Sequence, residues 1–177
     1  DPAELNKILA KCLEKGWLND ARETAKLLAE PDRTAELNKI LAKCLEKGWL
    51  NDARETAKLL KRDLDPAELN KILAKCLEKG WLNDARETAK LLKRDLDPAE
   101  LNKILAKCLE KGWLNDARET AKLLAEPDRT AELNKILAKC LEKGWLNDAR
   151  ETAKLLAEPD RTAELNKILA KCLEKGW

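Results

Sequence analysis

The sequence predicts an all-α fold in which tandem helical hairpins stack as an α-solenoid, with about eleven helices in all. Three observations predict it. The text AELNKILAKCLEKGW begins at Ala3, Ala35, Ala67, Ala99, Ala131 and Ala163, a constant period of 32 residues. Periods of about 20–50 residues mark solenoids, propellers or repeat arrays. Within each period the apolar residues recur at helical spacing, and no alternating run is rich in β-branched residues. Each half of the period also carries its own start and stop signals. Neither helix buries its stripe alone, so neighbouring copies must complete a common core.

The first unit shows how each element arises. Asp1-Pro2-Ala3-Glu4 combines a capping residue, a proline suited to the first helical position and a glutamate three residues after the cap. Leu5, Ile8, Leu9, Cys12 and Leu13 then form one apolar stripe, and Gly16 supplies the left-handed residue that ends the helix. The first helix is therefore expected over 2–15. The second is expected from about Asn19 or Asp20, because Asp20-Ala21-Arg22-Glu23 has capping-box spacing. Its stripe is Leu18, Ala21, Ala25 and Leu28 with Thr24 at the margin, and Arg22, Glu23 and Lys26 are assigned to solvent. Large residues on the first helix and alanines on the second allow close packing without voids. Trp17 at the turn is expected to cover the end of the hairpin core; a row of exposed tryptophans for stacking a ligand is the alternative.

The units are placed at 3–34, 35–66, 67–98, 99–130 and 131–162, followed by a single helix at 163–177, as one repeat domain. Two links join them: AEPDRT at 29–34, 125–130 and 157–162, and KRDLDP at 61–66 and 93–98. In the first, Pro31 should stop the second helix early. In the other, the helix can extend, Leu64 can add an apolar contact, and Asp65-Pro66 restarts the next unit. The links are expected to set different angles between neighbours.

Composition limits the chemistry. Charged residues make up 38% of the chain, yet the formal net charge is only +2, which argues against a polyanion binder driven by bulk charge. Histidine is absent, removing the commonest general base and metal ligand. No serine nucleophile or glycine-rich phosphate loop occurs either, so no enzyme activity, cofactor or metal is expected. No apolar run is long enough to span a membrane, and a cytoplasmic location is expected. Six cysteines lie 32 residues apart, none in a CxxC pair, and each falls in an apolar stripe. Packed helices sit about 8–10 Å apart, beyond the roughly 7 Å limit between bridged Cα atoms, so buried free thiols are expected.

Leu5-x-x-Ile8-Leu9-x-x-Cys12 followed by Ala21-x-x-x-Ala25 resembles the tetratricopeptide (TPR) repeat. Gly16-Trp17-Leu18-Asn19-Asp20-Ala21 resembles that family's inter-helix turn, and Asp63-Leu64-Asp65-Pro66 its closing segment. The resemblance covers every unit, but Leu stands for the family's Trp, Leu9 for its small residue and Ala25 for its aromatic, and the period is shorter. Asn6-Lys7-Ile8-Leu9 with Gly16-x-Leu18-x-x-Ala21 resembles the pentatricopeptide (PPR) repeat equally well. That resemblance implies base reading by Asn6-type residues together with the residue five positions earlier. Asn70 with Asp65 and Asn102 with Asp97 then resemble the family's uridine reader. Asn38, Asn134 and Asn166 would pair with Arg33, Arg129 and Arg161, which departs from it.

Invariant copies, thirteen residue types and interchangeable links together point to an engineered repeat scaffold without an evolved ligand; recent natural duplication is the alternative origin. A TPR-like module for an acidic peptide is the alternative function. The TPR resemblance implies that its partner-facing surface is the first helix of each unit, with Lys7, Lys11, Lys39, Lys43, Lys71, Lys75, Lys103, Lys107, Lys135 and Lys139. A PPR-like binder of single-stranded RNA is the second alternative, although the repeat has no aromatic placed for base stacking. Neither a membrane nor a small-molecule substrate is expected as a partner. The first and last helices keep the full apolar stripe, so the uncapped ends are expected to be sticky and to associate with other copies.

Overall fold

The computed structural model describes residues 1–176, which form eleven helices and no strand. The first helices of the units are α1 (Pro2–Lys15), α3 (Asp32–Lys47), α5 (Pro66–Lys79), α7 (Pro98–Lys111) and α9 (Asp128–Lys143). The second helices are α2 (Leu18–Lys26), α4 (Leu50–Leu59), α6 (Leu82–Leu91), α8 (Leu114–Lys122) and α10 (Leu146–Ala153), and α11 (Asp160–Glu174) stands last. Two compact units result, one of Asp1–Leu77 with Asn83–Asp95, the other of Glu78–Leu82 with Leu96–Trp177. In the first, α1 packs on α2, α2 on α3 and α3 on α4, with α1 also touching α3 and α2 touching α4. In the second, α7 through α11 pack successively in the same way.

The core follows the predicted stripes. Leu37, Ile40, Leu41 and Cys44 on α3 are buried against Ala53 and Ala57 of α4, and the equivalent residues of α9 and α10 repeat the arrangement. All six cysteines are free, five of them buried and Cys172 half-buried. Two expectations about the second helix are corrected. It starts at Leu18 rather than at Asn19 or Asp20, because Gly16 turns the chain at once and the Trp17 carbonyl already accepts the Ala21 N–H at 3.0 Å. The capping box at Asp20 therefore does not form, and the Asp20 carbonyl accepts a hydrogen bond from the Thr24 hydroxyl instead. Arg22 is not on the solvent side. It is only 7% exposed, as is Arg118, and each reaches across to the next second helix. Thr24 is half-buried at the margin as expected, whereas its counterparts Thr56, Thr88, Thr120 and Thr152 are fully buried, their hydroxyls satisfied by the carbonyl four residues back.

The links trade length between helices. After AEPDRT the following helix starts at the aspartate, so α3 and α9 have 16 residues, while the preceding α2 and α8 have 9. With KRDLDP the second helices α4 and α6 have 10 residues and the first helices α5 and α7 have 14. The KRDLDP link closes α4 with Lys61 in the left-handed region at φ 58°, and Lys93 repeats this at φ 59°. There the Arg62 N–H bonds the Ala57 carbonyl at 3.1 Å and the Lys61 N–H bonds the Lys58 carbonyl at 2.9 Å, a capping motif that normally uses glycine. Lys61→Gly and Lys93→Gly should each stabilise the chain by about 0.5–1 kcal/mol, because a side chain is strained there and glycine is not. Chemical denaturation of the two variants checks this; a loss of stability would contradict the capping assignment.

Glycine at the hairpin turn has a second duty in some copies. A Cβ on Gly48 would lie 2.5 Å from the Lys75 Cβ, whereas on Gly16 its nearest neighbour would be the Trp49 ring edge at 3.6 Å. Both residues have positive φ, at 74° and 73°. Gly16→Ala should cost about 1 kcal/mol for backbone strain alone, and Gly48→Ala clearly more, since α5 must also move. Equal thermal shifts for the two variants would contradict the close approach.

Candidate functional site

The lysine face divides into two rows with different surroundings. Lys7, Lys39, Lys71, Lys103 and Lys135 are exposed. Two of them are balanced one helical turn back, Lys39 by Glu36 and Lys135 by Glu132, each at 2.5 Å, and the equivalent Lys167 pairs with Glu164 at 2.6 Å. The other row is more enclosed. Lys11 is exposed, but Lys43, Lys75, Lys107 and Lys139 are half-buried. The Lys75 stem covers Gly48, and Lys107 covers Gly80. The Lys107 ammonium pairs with Glu110 at 2.9 Å, and Lys139 donates to the Leu109 carbonyl at the end of α7. A cation there meets the negative end of the helix dipole. This row thus closes the preceding turn with its aliphatic stems while its ammonium groups reach polar partners.

The link decides which cation holds the glutamate of the first turn. In α5 the Arg62 guanidinium takes Glu68 in a two-pronged pair at 2.8 and 2.9 Å. Glu68 also accepts the Asp65 N–H at 3.0 Å, while the Asp65 carboxylate accepts the Glu68 N–H at 2.8 Å. The Arg62 hydrogen bond holds the Glu68 carboxyl below the usual carboxylate range. The glutamate that Lys39 pairs with in α3 is thus held by Arg62 in α5, a difference invisible in the repeat because Lys39 and Lys71 sit in identical text. Arg62 was visible as part of a link, but not as the competitor for Glu68.

Asn70 and Asn102 are exposed on α5 and α7. The residues assigned to read with them are occupied: Asp65 caps α5, and Asp97 forms a full capping box with Glu100 at 2.8 and 3.0 Å. The tryptophans cover the turn unevenly. Trp17 is half exposed and Trp145 nearly as open, whereas Trp49, Trp81 and Trp113 are half-buried. The Lys79 ammonium lies 4.6 Å from the Trp81 ring centre, and Lys111 lies 4.7 Å from Trp113. These cation–π contacts hold the indole over the turn.

The second helices carry a further charged line that sequence reasoning missed. Arg22 donates to the Asp52 carboxylate at 3.0 Å and to Asn19 beside it; Arg118 does the same with Asp148 at 3.2 Å and Asn115. Both pairs span an AEPDRT link. Across KRDLDP, Arg54 instead reaches Glu87 at 2.8 Å, the residue one helical turn beyond the aspartate of that copy.

No protein-family model matches the chain. No curated protein matches it either. Among solved structures, a Podosopora anserina protein assigned as a kinesin light chain with nearly identical TPR-like repeats is similar at 16% identity, over 93% of this chain and 95% of that one, with a TM-score of 0.28.

Proposed function

We propose that the chain is a structural repeat scaffold of engineered origin, whose hairpins hold surfaces in fixed spacing and carry no catalytic or ligand-binding task. The observation that supports this most is that many of the repeated polar side chains serve their neighbours. Lys75 and Lys107 close turns, Asp65 and Asp97 cap helices, Arg22 and Arg118 tie second helices together, and Lys39 and Lys135 are paired with glutamates of their own helices. The identical text and the thirteen-letter alphabet support the engineered origin. A helical repeat with two interchangeable links of equal length suits assembly from a chosen number of units.

A TPR-like module for acidic peptides is the second reading, favoured by Lys71, an exposed lysine whose glutamate one turn back is held by Arg62. Titration with a poly-glutamate peptide at about 0.05 M and 0.3 M salt separates the two, since exposed charge pairs are screened over about 6 Å at the higher value. The scaffold reading predicts weak binding that disappears at the higher salt. Salt-resistant binding lost in Lys71→Ala would instead establish the acidic-peptide module. A uridine-rich RNA strand serves as a parallel probe, and salt-dependent binding without base preference is expected.

A further inference from the structure

The KRDLDP link at 61–66 walls a recess of about 390 Å³ together with side chains of α4, α5 and α6. Its floor is apolar. Ala57 and Leu69 are buried, Leu64 of the link is half-buried, and Leu91 of α6 is 40% exposed. Its rim is cationic, with Arg54, Lys58 and Arg62, and Asp63 is the only acid among the described residues that line it. The three cations are committed to different degrees. Arg62 is held by both oxygens of Glu68 and by the Asp63 carbonyl at 3.1 Å. Arg54 meets Glu87 through Nη1 at 2.8 Å, and Lys58 meets Glu55 at 2.8 Å, in pairs that are open to water on both sides. Ion pairs of this exposure contribute little, so another anion can compete for Arg54 and Lys58.

The two link texts differ where this recess needs them to. KRDLDP places Arg62, Asp63 and Leu64 where AEPDRT places Glu30, Pro31 and Asp32. A cation and a leucine are thus exchanged for two acids. The arginine equivalent to Arg54 is also withdrawn beside AEPDRT, since Arg22 is buried and holds Asp52 at 3.0 Å.

We propose that the recess at 61–66 is a binding site for a small amphipathic anion, a straight-chain carboxylate of about eight carbons, suited to the small end of ligand-pocket volumes. The alkyl chain lies on Ala57, Leu64, Leu69 and Leu91, where its burial removes apolar surface from water. The carboxylate meets Arg54 and Lys58 at the rim in charge-assisted hydrogen bonds. Arg62 keeps Glu68 and serves as a wall. An inorganic anion satisfies the cations but leaves the leucines uncovered. The site comes from the composition of the link and not from the hairpins, so it goes beyond the scaffold reading.

The test titrates octanoate into the intact chain carrying carbon-13 at its leucine methyl groups, followed by NMR. Leu64→Ile and Leu91→Ile each remove one leucine's signals and so assign them, which confines the readout to this link although its text recurs at 93–98. The Leu64 and Leu91 signals should shift together and saturate with a Kd of about 0.2–2 mM, as suits so small a ligand in an open recess. Leu64→Asp, read at Leu91, should weaken binding at least about tenfold. Arg54→Gln with Lys58→Gln should weaken it severalfold, with the circular dichroism unchanged. Octylammonium, with the same tail and the opposite charge, should bind at least about tenfold more weakly than octanoate. Unmoved Leu64 and Leu91 signals at about ten times the expected Kd would overturn the proposal. So would octylammonium binding as tightly as octanoate, or equal shifts at Leu27 and Leu28 beside the AEPDRT link, which would mean general adsorption.

Discussion

Replacing Ile40 with alanine is expected to lower the free energy of unfolding by about 2–5 kcal/mol, the usual range for a large core residue cut to alanine. The same substitution at Ile8 is expected to cost less than about 1 kcal/mol, since half of that side chain is already in water. Both isoleucines sit in the same fifteen-residue text, so local propensity contributes equally to the two variants. What differs is the neighbour. Ile40 is 0% exposed because a preceding hairpin covers it, and Ile8 is 50% exposed because none does. Denaturant titrations of the two variants side by side measure the contribution of stacking almost free of other terms. Equal losses at the two sites would mean that hairpins are stable alone.

Raising the pH should destabilise the chain through its thiols. Burial pushes Cys44, Cys108 and Cys140 up to about 11, from an ordinary value of 9.0. A thiol whose pKa rises on folding holds its proton more tightly in the folded state. Its contribution is complete below pH 9 and is lost as the pH climbs from 9 toward 11, because the unfolded chain gains thiolates that the folded chain does not. Each such thiol accounts for roughly 1–3 kcal/mol over that window. The melting temperature should therefore fall steeply between pH 9 and 11, and should fall less in a Cys44→Ala/Cys108→Ala/Cys140→Ala variant. Below pH 9 the thiols should resist alkylation, with half-buried Cys172 reacting first. A flat profile up to pH 11 would contradict the burial.

The helices and their stripes were legible because the repeat states them in every copy: Leu, Ile and Cys at helical spacing, Gly at the turn, Asp-Pro at the restart. The start of the second helix was misread at Asp20, since a side-chain signal for capping was weighed above the backbone reversal at Gly16. Arg22 was misread for a different reason. Within one helix it lies beside Glu23 on the polar side, and only the packing of α2 against α4 provides Asp52 to receive it. The lysine face was legible as a row but not as two rows. The distinction between an exposed Lys39 and a half-buried Lys75 depends on how closely the preceding turn approaches, which no spacing within one copy records. The same holds for Lys71, whose glutamate is claimed by a link residue six positions before it.

The central claim is that each hairpin owes its stability to its neighbours. It is tested most directly by denaturant unfolding of chains containing one, two, three and five copies of the unit. Stability should be absent for one hairpin and rise with each added unit by a nearly constant increment, as expected when intrinsic and nearest-neighbour terms add. A single hairpin as stable as the full chain would contradict the account.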